Sequence, residues 1–167
     1  MAITDTGRTP DVYSGKQMLA HWMVVALVLF QFLQGGSMET AFDDGAINGG
    51  AIIHGLSGTL ILGVMLWRLW MRRDHGAPPP PETEPSWLQR ISRGVHYAFY
   101  AILIGMPLAG MAAVLTGSEL LGSLHKLTAW LLLALALLHA AGAAWHGFVK
   151  RDGVVRRMLR DDPSVMS

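Results

Sequence analysis

The stretch LHKLTAWLLLALALLHAAGAAWHGF, residues 124–148, decides the fold. It is long and apolar enough to cross a bilayer, which takes about 20 residues. Yet it holds three histidines, His125, His139 and His146. Three more apolar blocks precede it, and the four run roughly over 17–36, 51–71, 90–116 and 121–149. Half of the 167 residues are hydrophobic and only 15% are charged, against about a quarter in ordinary soluble domains. A soluble core would show shorter periodic stretches with polar faces. The expected fold is therefore all-α: an integral membrane four-helix up-down bundle, forming a single domain over 1–167 with a Pro-rich link at 74–86.

There is no cysteine. That excludes disulfides, covalently attached c-type haem, iron–sulfur clusters and cysteine-based zinc sites. The polar residues ahead of the first block do not form a secretory signal. The net charge of +1 hides an asymmetry. Arg8 and Lys16 precede the first span; Arg68, Arg72, Arg73, Arg90 and Arg93 flank the second link; Lys150, Arg151, Arg156, Arg157 and Arg160 follow the fourth span. Only Lys126 lies towards the other side, where the first link has Glu39, Asp43 and Asp44. The positive-inside rule then puts both termini in the cytoplasm and the two short links on the other side, which is the periplasm if the source is a Gram-negative bacterium.

The second link contains PPPPETEP, residues 78–85. Consecutive prolines are stiff and extended, which suits a spacer. Ser86 followed by Gln89 has the pattern of a capping box opening the third span. His75 in this link is expected to be solvated.

The other six histidines, His21, His54, His96, His125, His139 and His146, fall within the spans. Ionisable groups inside a bilayer are costly and usually functional. A single histidine near a span end can instead sit at the headgroup level, so the set is more informative than any member. His54 and His125 each lie about one helical turn inside the end facing the short links. His21 lies about one turn inside the opposite end, roughly level with His139. Fourteen residues return a helical side chain to within about 40° of its starting direction, and a 1.5 Å rise separates the two by about 21 Å. His125 and His139 therefore share a face and mark two levels.

Two imidazoles per level suit few ligands. Zinc takes four N, O or S ligands, three of them from protein even at catalytic sites. A proton relay needs titratable groups through the middle, which here is leucine and alanine. Haem iron needs only two axial protein ligands, and non-covalent b-type haem takes both from neutral imidazoles. The bundle is thus expected to enclose two b-type haems, held by His21–His139 and His54–His125. His96 and His146 remain on the cytoplasmic side; they either replace a member of the inner pair, or contact a propionate or a quinone, or rest at the interface. Arg68, Arg72 and Arg73 are placed either to hold propionates or simply to anchor the span. Gly55 and Gly58 beside His54, and AAGAA after His139, admit a flat ligand or close helix packing. Pro107, in GMPLAG, is expected to kink the third span next to the cavity.

Several segments carry a resemblance: AHWMV at 20–24, IIHGLSG at 52–58, WRLWMRR at 67–73, RGVHYAFYAILIGMPLAG at 93–110, and LHK with LLHAAGAAWH in the fourth span. In this order they resemble the bacterial cytochrome b561 family of dihaem membrane proteins, from about Lys16 to Arg160. The resemblance implies two haems b, with His21 and His139 as axial ligands on the cytoplasmic side and His54 and His125 on the periplasmic side. It implies electron transfer between the quinone pool and a periplasmic redox partner. One kind in the family oxidises superoxide and reduces ubiquinone, and related subunits anchor larger redox complexes; these are the alternative functions. The link TGSELLGS, residues 116–123, looks shorter than in the superoxide-oxidising kind, and the acidic outer links would repel an anion. The expected partners are lipid, quinone, a periplasmic redox protein or superoxide, and a second copy of the chain; nothing points to nucleic acid.

Overall fold

The computed structural model describes residues 13–43, 49–79 and 84–159, with side chains from 35 to 43 left out. Arg8, Asp44 and Arg160, the side chains of Glu39 and Asp43, and residues 80–83 of the proline run lie outside that description. Four long helices follow one another: α1 (Gly15–Asp43), α2 (Gly49–His75), α3 (Ser86–Thr116) and α4 (Glu119–Ala144). A π-helical turn, Trp145–Lys150, continues α4, and a short 3-10 turn, Val155–Met158, follows. No strand occurs among the described residues. The segments Gly15–Gln34, Gly49–His75, Ser86–Thr116 and Glu119–Lys150 are each long and apolar enough to span a membrane. The chain is a four-helix membrane bundle.

Helix is the structure the bilayer requires, because it satisfies every backbone group within its own segment. The helices pack chiefly in chain order, α1 on α2, α2 on α3 and α3 on α4. The buried cluster is Ala20, Val24, Ile61, Val64, Met65, Met71, Leu103 and Leu132. α3 contributes only Leu103 to it and α4 only Leu132, so the cluster is chiefly the work of α1 and α2. Outward-facing apolar side chains such as Leu33 (85% exposed) and Leu115 (81% exposed) suit lipid, where water would make them a liability.

The α3–α4 connection is tighter than the sequence suggested. Only Gly117 and Ser118 lie between the helices. Gly117 has φ +64°, a left-handed conformation that favours glycine and ends a helix. Ser118 caps α4 by accepting the Leu121 N–H on its hydroxyl at 3.4 Å. The expected capping box at Ser86 does not form. Pro85 takes the N-cap position, and the Gln89 amide donates instead to the Glu84 carbonyl at 3.0 Å. One residue of shift moves Ser86 into the first turn, where its hydroxyl has no cap to make.

A polar clamp joins α1 to α2. The Gln31 amide nitrogen donates to the His54 carbonyl at 3.1 Å. The Ser57 hydroxyl lies 3.1 Å from the Gln31 carbonyl oxygen, to which it can donate. A Cβ at Gly58 would come within 3.1 Å of the Gln31 amide, so the glycine lets the helices close over the clamp. Interhelical hydrogen bonds in membranes contribute about 0.6 to 2 kcal/mol. Gln31→Leu is expected to lower unfolding free energy in detergent by about 1 kcal/mol, read as a lower denaturation midpoint; an unchanged midpoint would remove the clamp from the account of stability.

Candidate functional site

The six span histidines sort into two levels and one outlier. Near the end that holds the described link and the chain's C-terminal turn, the His21 and His139 rings face each other with centroids 6.4 Å apart. Towards the opposite end, the His54 and His125 rings lie 6.0 Å apart. Within both pairs the planes are steeply inclined, at 72° and 68°. His96 joins the first level, 5.4 Å from His139, and Phe99 stacks edge-on against His139 at 5.5 Å.

Hydrogen bonds set which ring nitrogen is free. A carbonyl only accepts, so a histidine facing one must carry its proton on that nitrogen. His125 Nδ1 lies 3.0 Å from the Met106 carbonyl and therefore donates, leaving Nε2 with its lone pair. His96 Nδ1 donates in the same way to the Ser92 carbonyl at 2.8 Å. His21 is the reverse case. Its Nδ1 is 2.8 Å from Arg68 Nη1, and a guanidinium has no acceptor, so Nδ1 presents its lone pair there. His54 Nδ1 is buried with no hydrogen-bond partner, a cost of about 1–3 kcal/mol for an unsatisfied polar group.

His146 stands apart. Its Nε2 is 3.0 Å from Glu84 Oε1 and its Nδ1 is 2.6 Å from Asp152 Oδ2. Carboxylates occupy both ring nitrogens, so this arrangement leaves no lone pair to join either histidine pair. Glu84, whose side chain is only 4% exposed, also pairs with Lys150 at 3.2 Å. The π-helical turn carries His146 and Lys150 towards Glu84, and the chain then folds back so that Asp152 reaches the other side of the ring. Further ties close this end: the Trp22 indole donates to the Met158 carbonyl at 3.0 Å, Gln17 to Gly76 at 3.0 Å and Arg157 to Pro79 at 2.9 Å.

Arg72 lies over Tyr97 and Tyr100, 6.0 and 5.8 Å from the ring centres. With Arg68, Tyr13 and Gln17 it lines a small polar recess. Burial raises the Tyr13 phenol pKa above its ordinary 10.0, against the pull of Arg72 and Arg68. Arg73 adds no contact to this recess, and His75 ends α2 beside Asp74, 3.3 Å away and exposed. Among the described residues no group of three or more His, Asp and Glu side chains converges on a point that could hold a metal ion.

Sequence reasoning placed the six histidines but missed their supports. Gln31 was visible as an amide inside an apolar block. Glu84 and Asp152 looked like ordinary link and tail charges. Met106 contributes through its carbonyl, which no side-chain pattern reports.

Asp152 is held below its ordinary pKa of 3.8. Burial pushes the carboxyl up, but the bonds from His146 and the Val154 N–H, with the charge of Lys150, outweigh it. A depressed carboxyl stabilises the fold above its unfolded-state pKa and loses that contribution as pH falls through the folded value. The difference in melting temperature between the wild type and Asp152→Asn should hold from neutrality to about pH 5 and shrink below it; a difference independent of pH would refute the linkage.

A family model described as prokaryotic cytochrome b561 matches residues 12–161. Cytochrome b562 of Cereibacter sphaeroides is 30% identical over 153 residues, covering 89% of this chain and 95% of that protein. Cytochrome b561 homolog 2 of Escherichia coli is 26% identical over 176 residues, covering 90% and 93%.

Proposed function

On the footing that the chain belongs to the prokaryotic cytochrome b561 family, membrane electron-transfer proteins that bind haem b, we propose that it holds two haems b and moves electrons across the membrane between the quinone pool and a periplasmic redox partner. The observation that carries this reading is the ring spacing. Two imidazoles holding one metal between them, each through a bond of about 2 Å with about 1.1 Å from nitrogen to ring centre, would have centres about 6.2 Å apart. The pairs at 6.4 and 6.0 Å match that span; His96 and His139, at 5.4 Å, are too close.

The orphaned His54 nitrogen fits a histidine whose ring is set by a group other than its protein neighbours. Bound haem supplies a reversible one-electron couple; the protein's part is to hold its ligands, bury it and tune it. His125 already presents Nε2. For His21 to do the same as a neutral imidazole, its proton must lie on Nδ1, and Arg68 is then released to pair with a carboxylate such as a propionate. His96, with Nε2 free beside His139, and Arg72 are the other candidates for propionate or quinone contact. His146 enters that group only if it leaves one of its two carboxylates.

The basic end is assigned to the cytoplasm by the positive-inside rule, with the membrane being a bacterial inner membrane. The outer acidic residues disfavour an anionic donor such as superoxide, and suit a cationic redox protein. A second copy of the chain and an anchoring role in a larger complex remain tests of purified material.

Purified protein should show a reduced-minus-oxidised spectrum of b type with about two haems per chain, as the two-pair reading requires. Replacing His54 or His125 by Ala should remove one haem, and replacing His21 or His139 the other. A haem-replete preparation with one haem, or the loss of both haems from every single variant, would overturn the two-level assignment.

A further inference from the structure

Resting on the two-haem reading, we propose that Gly110 and the Met106 carbonyl form a seat on α3 that fixes both the proton and the orientation of His125, so that Gly110 is a positioning residue for the outer histidine pair. The two features sit one helical turn apart and face the same ring. Met106 accepts from His125 Nδ1 at 3.0 Å. A Cβ built on Gly110 would lie 3.0 Å from His125 Cε1 and 3.1 Å from Nδ1. That is tighter than nine in ten real Cβ contacts, so a larger residue requires the imidazole to give by a few tenths of an ångström.

The displacement would be aimed at the hydrogen bond. The atoms in conflict are the donating nitrogen and the carbon next to it, so relieving the clash moves Nδ1 relative to its acceptor. The same bond selects the tautomer that leaves Nε2 with a lone pair, in a ring whose centre is 6.0 Å from that of His54. A carbonyl behind a ligating imidazole also makes it a stronger donor to a metal. Pro107, between the two residues in chain order, lacks the N–H that would bond to Leu103, so the ladder is already interrupted at this turn of α3. Seat, tautomer and ligand strength are one geometric arrangement.

No comparable seat serves the other level. His21 faces Arg68, whereas Gly110 would place a Cβ against the His125 ring. Disturbing Gly110 should therefore separate the two levels.

The test uses full-length protein purified in detergent, as Gly110→Ala, Gly110→Val and, for comparison, Leu108→Ala on the half-exposed side of the same turn. The readout is a spectroscopic redox titration, with His54→Ala marking the outer component. Gly110→Ala should move the outer component to higher potential, because a weaker imidazole donor favours the oxidised iron less. Gly110→Val should move it further or abolish it, while the inner component and Leu108→Ala match the wild type. Equal change in both components, or none in either glycine variant, overturns the seat. If the wild type binds no haem, the two-haem reading fails by itself. The seat is then judged by nitrogen NMR of histidine-labelled protein: His125 should be protonated on Nδ1 in the wild type and lose that preference in Gly110→Ala, and an unchanged tautomer overturns it.

Discussion

An imidazole at bilayer depth has no water to satisfy its nitrogens, and that constraint organises this bundle. Every span histidine must find a partner in the protein or in a bound group, since an orphaned polar group is costly at low dielectric. His125 and His96 use backbone carbonyls, His146 uses two carboxylates, and His21 meets a guanidinium. His54 keeps one nitrogen with no partner. What remains after these bonds are the two pairs of rings, with centres 6.4 and 6.0 Å apart.

The packing follows from keeping those spacings open. A bundle closed tightly by large side chains would bring the rings into contact or push them apart. Here the buried cluster lies mainly between α1 and α2, and α3 and α4 add Leu103 and Leu132 alone. The ends do the fastening instead. Gln31 and Ser57 tie α1 to α2 near the His54–His125 pair. The Glu84, His146 and Lys150 group joins the second link to the end of α4. Polar bonds can hold helices at a set distance where apolar packing would draw them together, which is how small residues and clamps share the work in membranes.

Most of the fold was legible because the bilayer reduces it to a count of apolar blocks. Blocks of about 20 residues separated by charged or proline-bearing links admit few architectures. The levels of the histidines were legible too, since helical rise is fixed and span ends are marked by arginine and lysine. The boundary details were not. Ser86 and Gln89 have the letters of a capping box, but Pro85 starts the helix one residue early. The eight residues TGSELLGS read as a link, yet six of them are helical, because Gly117 and Ser118 alone can reverse the chain. Glu84 and Asp152 were unreadable as partners of His146, because they meet it only after the π-helical turn and the fold-back of the tail.

The two levels differ in a way that bears on electron flow. At the basic end Arg68 and Arg72 lie beside the His21, His96 and His139 group, and cations favour a centre that gains an electron. At the other end the closest polar contact to His125 is a carbonyl oxygen, which enriches the imidazole and favours a centre that gives one up. In the two-haem reading, the arginines at one level and the carbonyl at the other would set the two potentials apart. One row of arginines on α2 would serve topology and redox poise together, and this is why an arginine there cannot be judged an anchor from its position alone.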